Sequence, residues 1–102
     1  MMNLPDDPFI IELLPEFVDA WLNDFGDQFK TLIDTQNSTD LFRMGHTLKG
    51  SCAQFGLEEI AEMGVELMEF SKSNNWDKAS ETELKIIQAF ADVKKYIEEN
   101  ID

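Results

Sequence analysis

A single cysteine, Cys52, among 102 residues excludes an intramolecular disulfide and agrees with a reducing compartment. A single histidine, His46, leaves no His/Cys cluster from which to build a metal centre. No apolar run approaches the roughly 18 residues of a membrane span, and the acidic opening MMNLPDD lacks the basic region and apolar core of a signal peptide. A cytoplasmic, non-membrane protein is expected. The five glycines are isolated, so there is no phosphate-cradling loop, and ATP chemistry is not expected of this chain. Cations are also scarce: 8 against 21 acids gives a formal charge of −13, which repels nucleic acid and anionic membrane surfaces. The plain role of that excess is solubility. Strand alternation, internal repeats, low-complexity tracts and flexible linkers are missing as well.

What is present is one globular domain over residues 1–102, 43% apolar and 28% charged, long enough for one hydrophobic core but not two. Apolar residues recur at helical spacing along nearly all of it. Asp6 and Asp7 before Pro8 signal a helix start, and a short helix from about Pro8 to Leu14 follows, carrying Phe9, Ile10, Leu13 and Leu14. Pro15 breaks or kinks it, or opens the next helix at its first turn. That next helix runs to about Gln36, and its apolar residues, from Phe17 through Trp21 to Ile33, cover roughly 160°. The arc is wider than a core stripe needs. The segment QNSTD is a polar turn, with Ser38 as N-cap and Asp40 in the first turn of a helix spanning about 39–56, which Gly56 closes in the left-handed conformation.

With almost no connection left, the following helix, Leu57 to about Ser73, must fold back as an antiparallel hairpin. Ile60, Ala61, Gly64, Leu67, Met68 and Ser71 face inward, Gly64 allowing close helix approach, while Glu58, Glu59, Glu62, Glu66 and Glu69 form a solvated row. NNWDK is read as a loop with Trp76 plugging an end of the bundle, and Ser80 with Glu83 as a capping box. Leu84, Ile87, Phe90 or Ala91, Lys94 and Ile97 carry the last helix to about Glu99. The fold class is all-α: an antiparallel four-helix bundle with a short extra N-terminal helix.

The stretch from Leu41 to Leu57, LFRMGHTLKGSCAQFGL, holds the histidine and three of the five glycines. On a helical wheel of roughly 100° per residue, Leu41, Met44, Leu48, Cys52 and Phe55 form an apolar stripe facing away from His46. His46 therefore points to water. Arg43 and Gly50 fall on one side of it, Phe42, Lys49 and Ala53 on the other. Arg43 at i−3 and Lys49 at i+3 both reach the space above the imidazole. Gly50 at i+4 leaves it uncovered on one side. Gly45 and Gly50 cost the helix about 1 kcal/mol each relative to alanine, so propensity does not explain them. An exposed imidazole, cleared of bulk and flanked by cations, suits a nucleophile that accepts an anionic group from a large partner.

The run His46, Leu48, Lys49, Gly50, Ser51, Phe55, Gly56 resembles the H-x-L-K-G-S-x-x-x-[LF]-G signature of histidine phosphotransfer (HPt) domains of two-component phosphorelays. Cys52 stands where that family more often has serine or alanine; it lies on the inward stripe and reads as a packing variant. The resemblance implies a reversible phosphoryl carrier, with no kinase activity of its own, that exchanges phosphate with phospho-aspartate on the receiver domains of response regulators or hybrid histidine kinases. His46 would be the phosphoacceptor, Lys49 would steady the phosphoryl oxygens and Gly50 would let the receiver approach. Arg43, Ser51 and Gly56 would support the site, Ser51 through a bond to the carbonyl one turn back. Phe42, Ala53, Phe17 and Trp21 would be candidates for partner docking, although for Phe17 and Trp21 a core role is the plainer reading. Magnesium would be held by the receiver, with no cofactor on this chain, and the carrier would be a monomer.

A neutral imidazole of ordinary pKa, roughly 6.5, is mostly deprotonated at neutral pH and attacks without an activating base. Neighbouring cations disfavour a further positive charge and become partners once phosphate is attached. A Cys52/His46 thiol dyad fails on geometry, since six helical residues set the two roughly 240° apart. Two alternatives stay open: a helical adaptor that docks a receiver or kinase without carrying phosphate, and a phosphoacceptor domain served directly by a chemotaxis-type kinase.

Overall fold

A computed structural model describes residues 8–100, apart from the side chains of residues 8–11, 24 and 100. Among the described residues there are four helices: α1 (Pro8–Asp34), α2 (Ser38–Gln54), α3 (Glu58–Lys72) and α4 (Trp76–Asn100). Each packs on its neighbour in sequence, and α1 closes the ring against α4. The closest pair is α2 with α3; α1 leans on α4 and only lightly on α2. Contacts between residues far apart in sequence fix the antiparallel sense. Trp21 stacks on Phe90 with centroids 5.9 Å apart, and Lys94 Nζ lies 3.0 Å from Asp19 Oδ1. That bond and the Asp19 charge hold the Lys94 ammonium above its ordinary pKa. The molecule measures 42 × 20 × 19 Å, its long axis set by α1, whose 27 residues span about 40 Å.

The four-helix all-α bundle agrees with the sequence, but the extra N-terminal helix does not exist as a separate element. Residues 8–14 are the opening turns of α1, and Pro15 lies inside it. A proline in the second turn removes one helical bond, to the carbonyl of residue 11. Leu14 and Val18, both fully buried, anchor the helix on either side of it. The inward roles read for Phe9 and Ile10 fall on side chains outside the description, as do the capping roles of Asp6 and Asp7.

The three connections share one design. Each of the first three helices ends in a Schellman turn through a left-handed residue: Gln36 (φ 50°), Gly56 (φ 75°) and Asn74 (φ 54°). The paired bonds are Asn37 N to Leu32 O and Gln36 N to Ile33 O, then Leu57 N to Cys52 O and Gly56 N to Ala53 O, then Asn75 N to Phe70 O and Asn74 N to Ser71 O. The next residue in each case takes the N-cap position of the following helix, Leu57 doing so without a side-chain bond. Asn37, not Ser38, caps α2, its Oδ1 accepting from Asp40 N at 3.1 Å. Asn75 takes that position for α4, accepting from Lys78 N at 3.3 Å, so of NNWDK only Asn74 and Asn75 lie in the connection, and Ser80 with Glu83 is not a capping box. Trp76 is the first residue of α4 and packs half-buried against the core.

The core lies along the bundle axis, with Phe25, Phe29 and Phe90 the largest buried side chains. In α3 Ile60, Ala61, Gly64, Leu67 and Ser71 of the inward set read from the sequence are buried, Met68 is half-buried, and the five glutamates are exposed. In α4 the register differs. The buried residues are Ala79, Thr82, Ile86, Phe90, Val93 and Ile97, while Leu84 is 68% exposed and Ala91 and Lys94 face solvent. The true stripe includes Thr82, which hydropathy disfavours, because its hydroxyl donates to Lys78 O at 2.9 Å and so can be buried without loss.

Candidate functional site

The site is built on α2. Leu41, Gly45, Leu48 and Cys52 are buried, and Met44 and Phe55 pack half-buried at the edge of the core. Burying that face presents the opposite one, and His46, near the middle of the helix, is exposed together with Arg43, Thr47, Lys49, Gly50 and Ala53. A Cβ built on Gly50 meets nothing within 4 Å, so the space one turn beyond His46 is open. The helix under the imidazole is held at both ends, by the Asn37 cap and by the Gly56 turn.

Three cations border this face. Lys49 and Arg43 lie on α2 itself, and Arg43 Nη1 is 3.9 Å from Asp40 Oδ1. Both partners of that pair are well exposed, so it restrains Arg43 little. The third is Lys72 at the end of α3, whose Nζ sits 5.3 Å from the centroid of the Phe42 ring, one turn before His46. Nothing in the linear sequence ties Lys72 to Phe42; the antiparallel register of α2 and α3 does. Cys52 is fully buried, and burial pushes its thiol up to about 12, which leaves it unreactive. Ser51 is half-buried and forms no side-chain hydrogen bond among the described residues, so the back-bond expected of it is not made. Among the described residues no group of His, Cys, Asp and Glu is placed to hold a metal ion. No described helix is long and apolar enough to cross a membrane.

On the α1 side of the imidazole face lies a groove of about 730 Å³. Trp21, Phe25, Leu32 and Met44 supply its apolar surface, and Asp27, Asp40, Arg43 and Thr47 are among its polar residues. Trp21 thus has two faces, one stacked on Phe90 and one in the groove. Phe17 is placed differently. It stacks on Phe55 at 4.1 Å and meets Phe90 edge-on at 6.3 Å, tying the end of α2 to α1 and α4. Phe42 and Ala53 flank His46 on the side away from this groove. Of the groove residues on α1 the sequence singled out Trp21 alone; Phe25, Asp27 and Leu32 were not legible beforehand, because which flank of a wide apolar arc stays open depends on how α1 leans on α2.

The arrangement offers a solvent-facing imidazole on a rigid helix, bordered by cations, open at Gly50 and adjoined by an apolar groove. It can meet a bulky anionic donor. A family model described as the Hpt domain matches residues 11–98 of the chain. Searches of curated proteins and of solved structures each returned no match.

Proposed function

This chain belongs to the Hpt domain family, whose members carry phosphoryl groups between receiver domains in phosphorelays, and on that premise we propose that it is a reversible carrier with His46 as its phosphoacceptor. The carrying observation is the exposure of His46 beside an unobstructed Gly50, on the one face of α2 that the core leaves free. In the forward step a neutral ring nitrogen of His46 forms the N–P bond as the acyl-phosphate P–O bond of a receiver phospho-aspartate breaks. The electron pair leaves with the aspartate carboxylate. Positioning and charge neutralisation supply most of the catalysis in phosphoryl transfer. Lys49 pairs with the phosphoryl oxygens, and Arg43 and Lys72 lower the local cost of bringing an anion to a chain of charge −13. Magnesium belongs to the receiver. The groove walled by Trp21 and Met44 takes an apolar part of that partner, and the exchange takes place in the cytoplasm.

Reversibility gives the test. The phosphorylated protein, freed of donor and mixed with a fresh magnesium-loaded receiver, should return the phosphoryl group within minutes, and Lys49→Gln should slow the exchange by about tenfold. A protein that accepts phosphate but never returns it would not be a relay carrier.

A further inference from the structure

Beneath His46, α2 and α3 touch backbone to backbone. A Cβ placed on Gly64 would lie 2.7 Å from the carbonyl oxygen of Gly45, 2.9 Å from the amide nitrogen of Lys49 and 3.3 Å from its Cα. A Cβ on Gly45 would lie 2.7 Å from the carbonyl oxygen of Gly64. Gly26 and Gly50, by contrast, have open space at that position. The obstructing atoms at Gly64 are main chain, which cannot rotate aside as a side chain can, so any larger residue there must push the helices apart. They belong to residues 45 and 49, which bracket His46.

We propose that Gly64 is a positioning residue for phosphotransfer: the bare crossing with Gly45 sets how far α2 stands from α3, and so where His46 and Lys49 stand relative to the α1 wall of the groove. α2 and the α1 wall of the groove would not respond alike to a wedge at this crossing. α1 is braced on α4 by the Trp21–Phe90 stack and the Asp19–Lys94 pair, and it packs only lightly on α2. The outer face of α2 is solvent. Displacement therefore carries His46 and Lys49 outward while Trp21 stays in place. The imidazole remains exposed and reactive, but a partner seated in the groove no longer meets it in line. Misplacement of about 1 Å costs such a reaction up to about a hundredfold.

The proposal rests on the phosphocarrier reading, and two donors separate the two. Wild type, Gly64→Ala and Ile86→Val, the last a buried change in α4 away from the crossing, are compared at a temperature where circular dichroism shows each fully folded. One donor is phosphoramidate, which needs no docking; the other is a phosphorylated receiver at saturating concentration. Gly64→Ala should lose about tenfold or more in the saturated rate from the receiver and stay within about twofold of wild type with phosphoramidate. Ile86→Val should match wild type with both. A folded Gly64→Ala protein that takes phosphate from the receiver at the wild-type rate, or that slows equally with both donors, overturns the positioning role. Should Gly64→Ala not fold, Ala61→Val thickens the same buried face of α3 one turn earlier; a selective loss with the receiver supports the role and an unchanged rate overturns it. Wild type that reacts with phosphoramidate but with no receiver overturns the carrier reading instead.

Discussion

At the scale of single residues, Gly50 and Cys52 each make an assertion that stability and function measured together can check. Gly50 faces solvent with no atom near its missing side chain, so its glycine is a cost to the free protein, one that the proposed carrier role assigns to a partner's approach. Gly50→Gln should raise the unfolding free energy by about 0.5–1 kcal/mol in urea titrations, yet cut transfer from a receiver by about tenfold or more. A variant gaining stability without losing transfer would leave Gly50 with no role in access. The Cys52 thiol is held up to about 12 by burial, from an ordinary 9.0. Between those values the unfolded chain ionises its thiol while the folded one does not. Stability from this group is therefore complete below about pH 9 and declines as pH rises toward 12. Denaturation curves from pH 8 upward should show that decline, and Cys52→Ala should flatten it. That His46, Lys49 and Gly50 share one exposed face was legible in sequence because a wheel needs only spacing. Lys72 was not, since its place over Phe42 depends on the register between two helices.

At the scale of elements, the repeated connection explains both what the sequence disclosed and what it hid. Gly56 was legible as a helix end because glycine occupies the left-handed region without strain. Gln36 and Asn74 occupy the same region, and nothing in a glutamine announces it. With those turns unseen, the serines Ser38 and Ser80 looked like caps, whereas the caps follow each left-handed residue directly, at Asn37 and Asn75. Gln36→Gly should accordingly stabilise the protein by about 1 kcal/mol by relieving the left-handed backbone, and Asn37→Ala should destabilise it by about 1 kcal/mol by leaving α2 uncapped. Equal and opposite shifts in the urea midpoint would mark the α1–α2 turn as a single unit; a neutral Gln36→Gly would contradict the strain assigned to it. The α4 register was misread for a related reason. Two overlapping stripes compete there, and the one containing Leu84 loses to the one that lets Ile86, Phe90, Val93 and Ile97 reach the core.

At the scale of the whole molecule, a chain of charge −13 folds and presents a face on which three of its eight cations gather. Self-repulsion should make stability depend on salt: the melting temperature should rise as sodium chloride goes from about 20 to about 200 mM, within which the screening length shortens to below 10 Å. The bundle itself was visible in the helical periodicity, and the family in seven spaced residues of α2 and the turn that ends it, because both are local patterns. Gly64 was legible as a point of close helix approach and Trp21 as a docking candidate, but the pairing of Gly64 with Gly45 and the outline of the groove were not, since each arises only when two helices meet. The most direct measurement is to mix the protein with a magnesium-loaded receiver already phosphorylated on aspartate, beside His46→Gln, and follow the phosphoryl group by intact mass. Transfer to the wild type alone, as an acid-labile and base-stable adduct, is the expected result. Transfer to His46→Gln at the wild-type rate, or binding of several receivers without transfer to either protein, would contradict it.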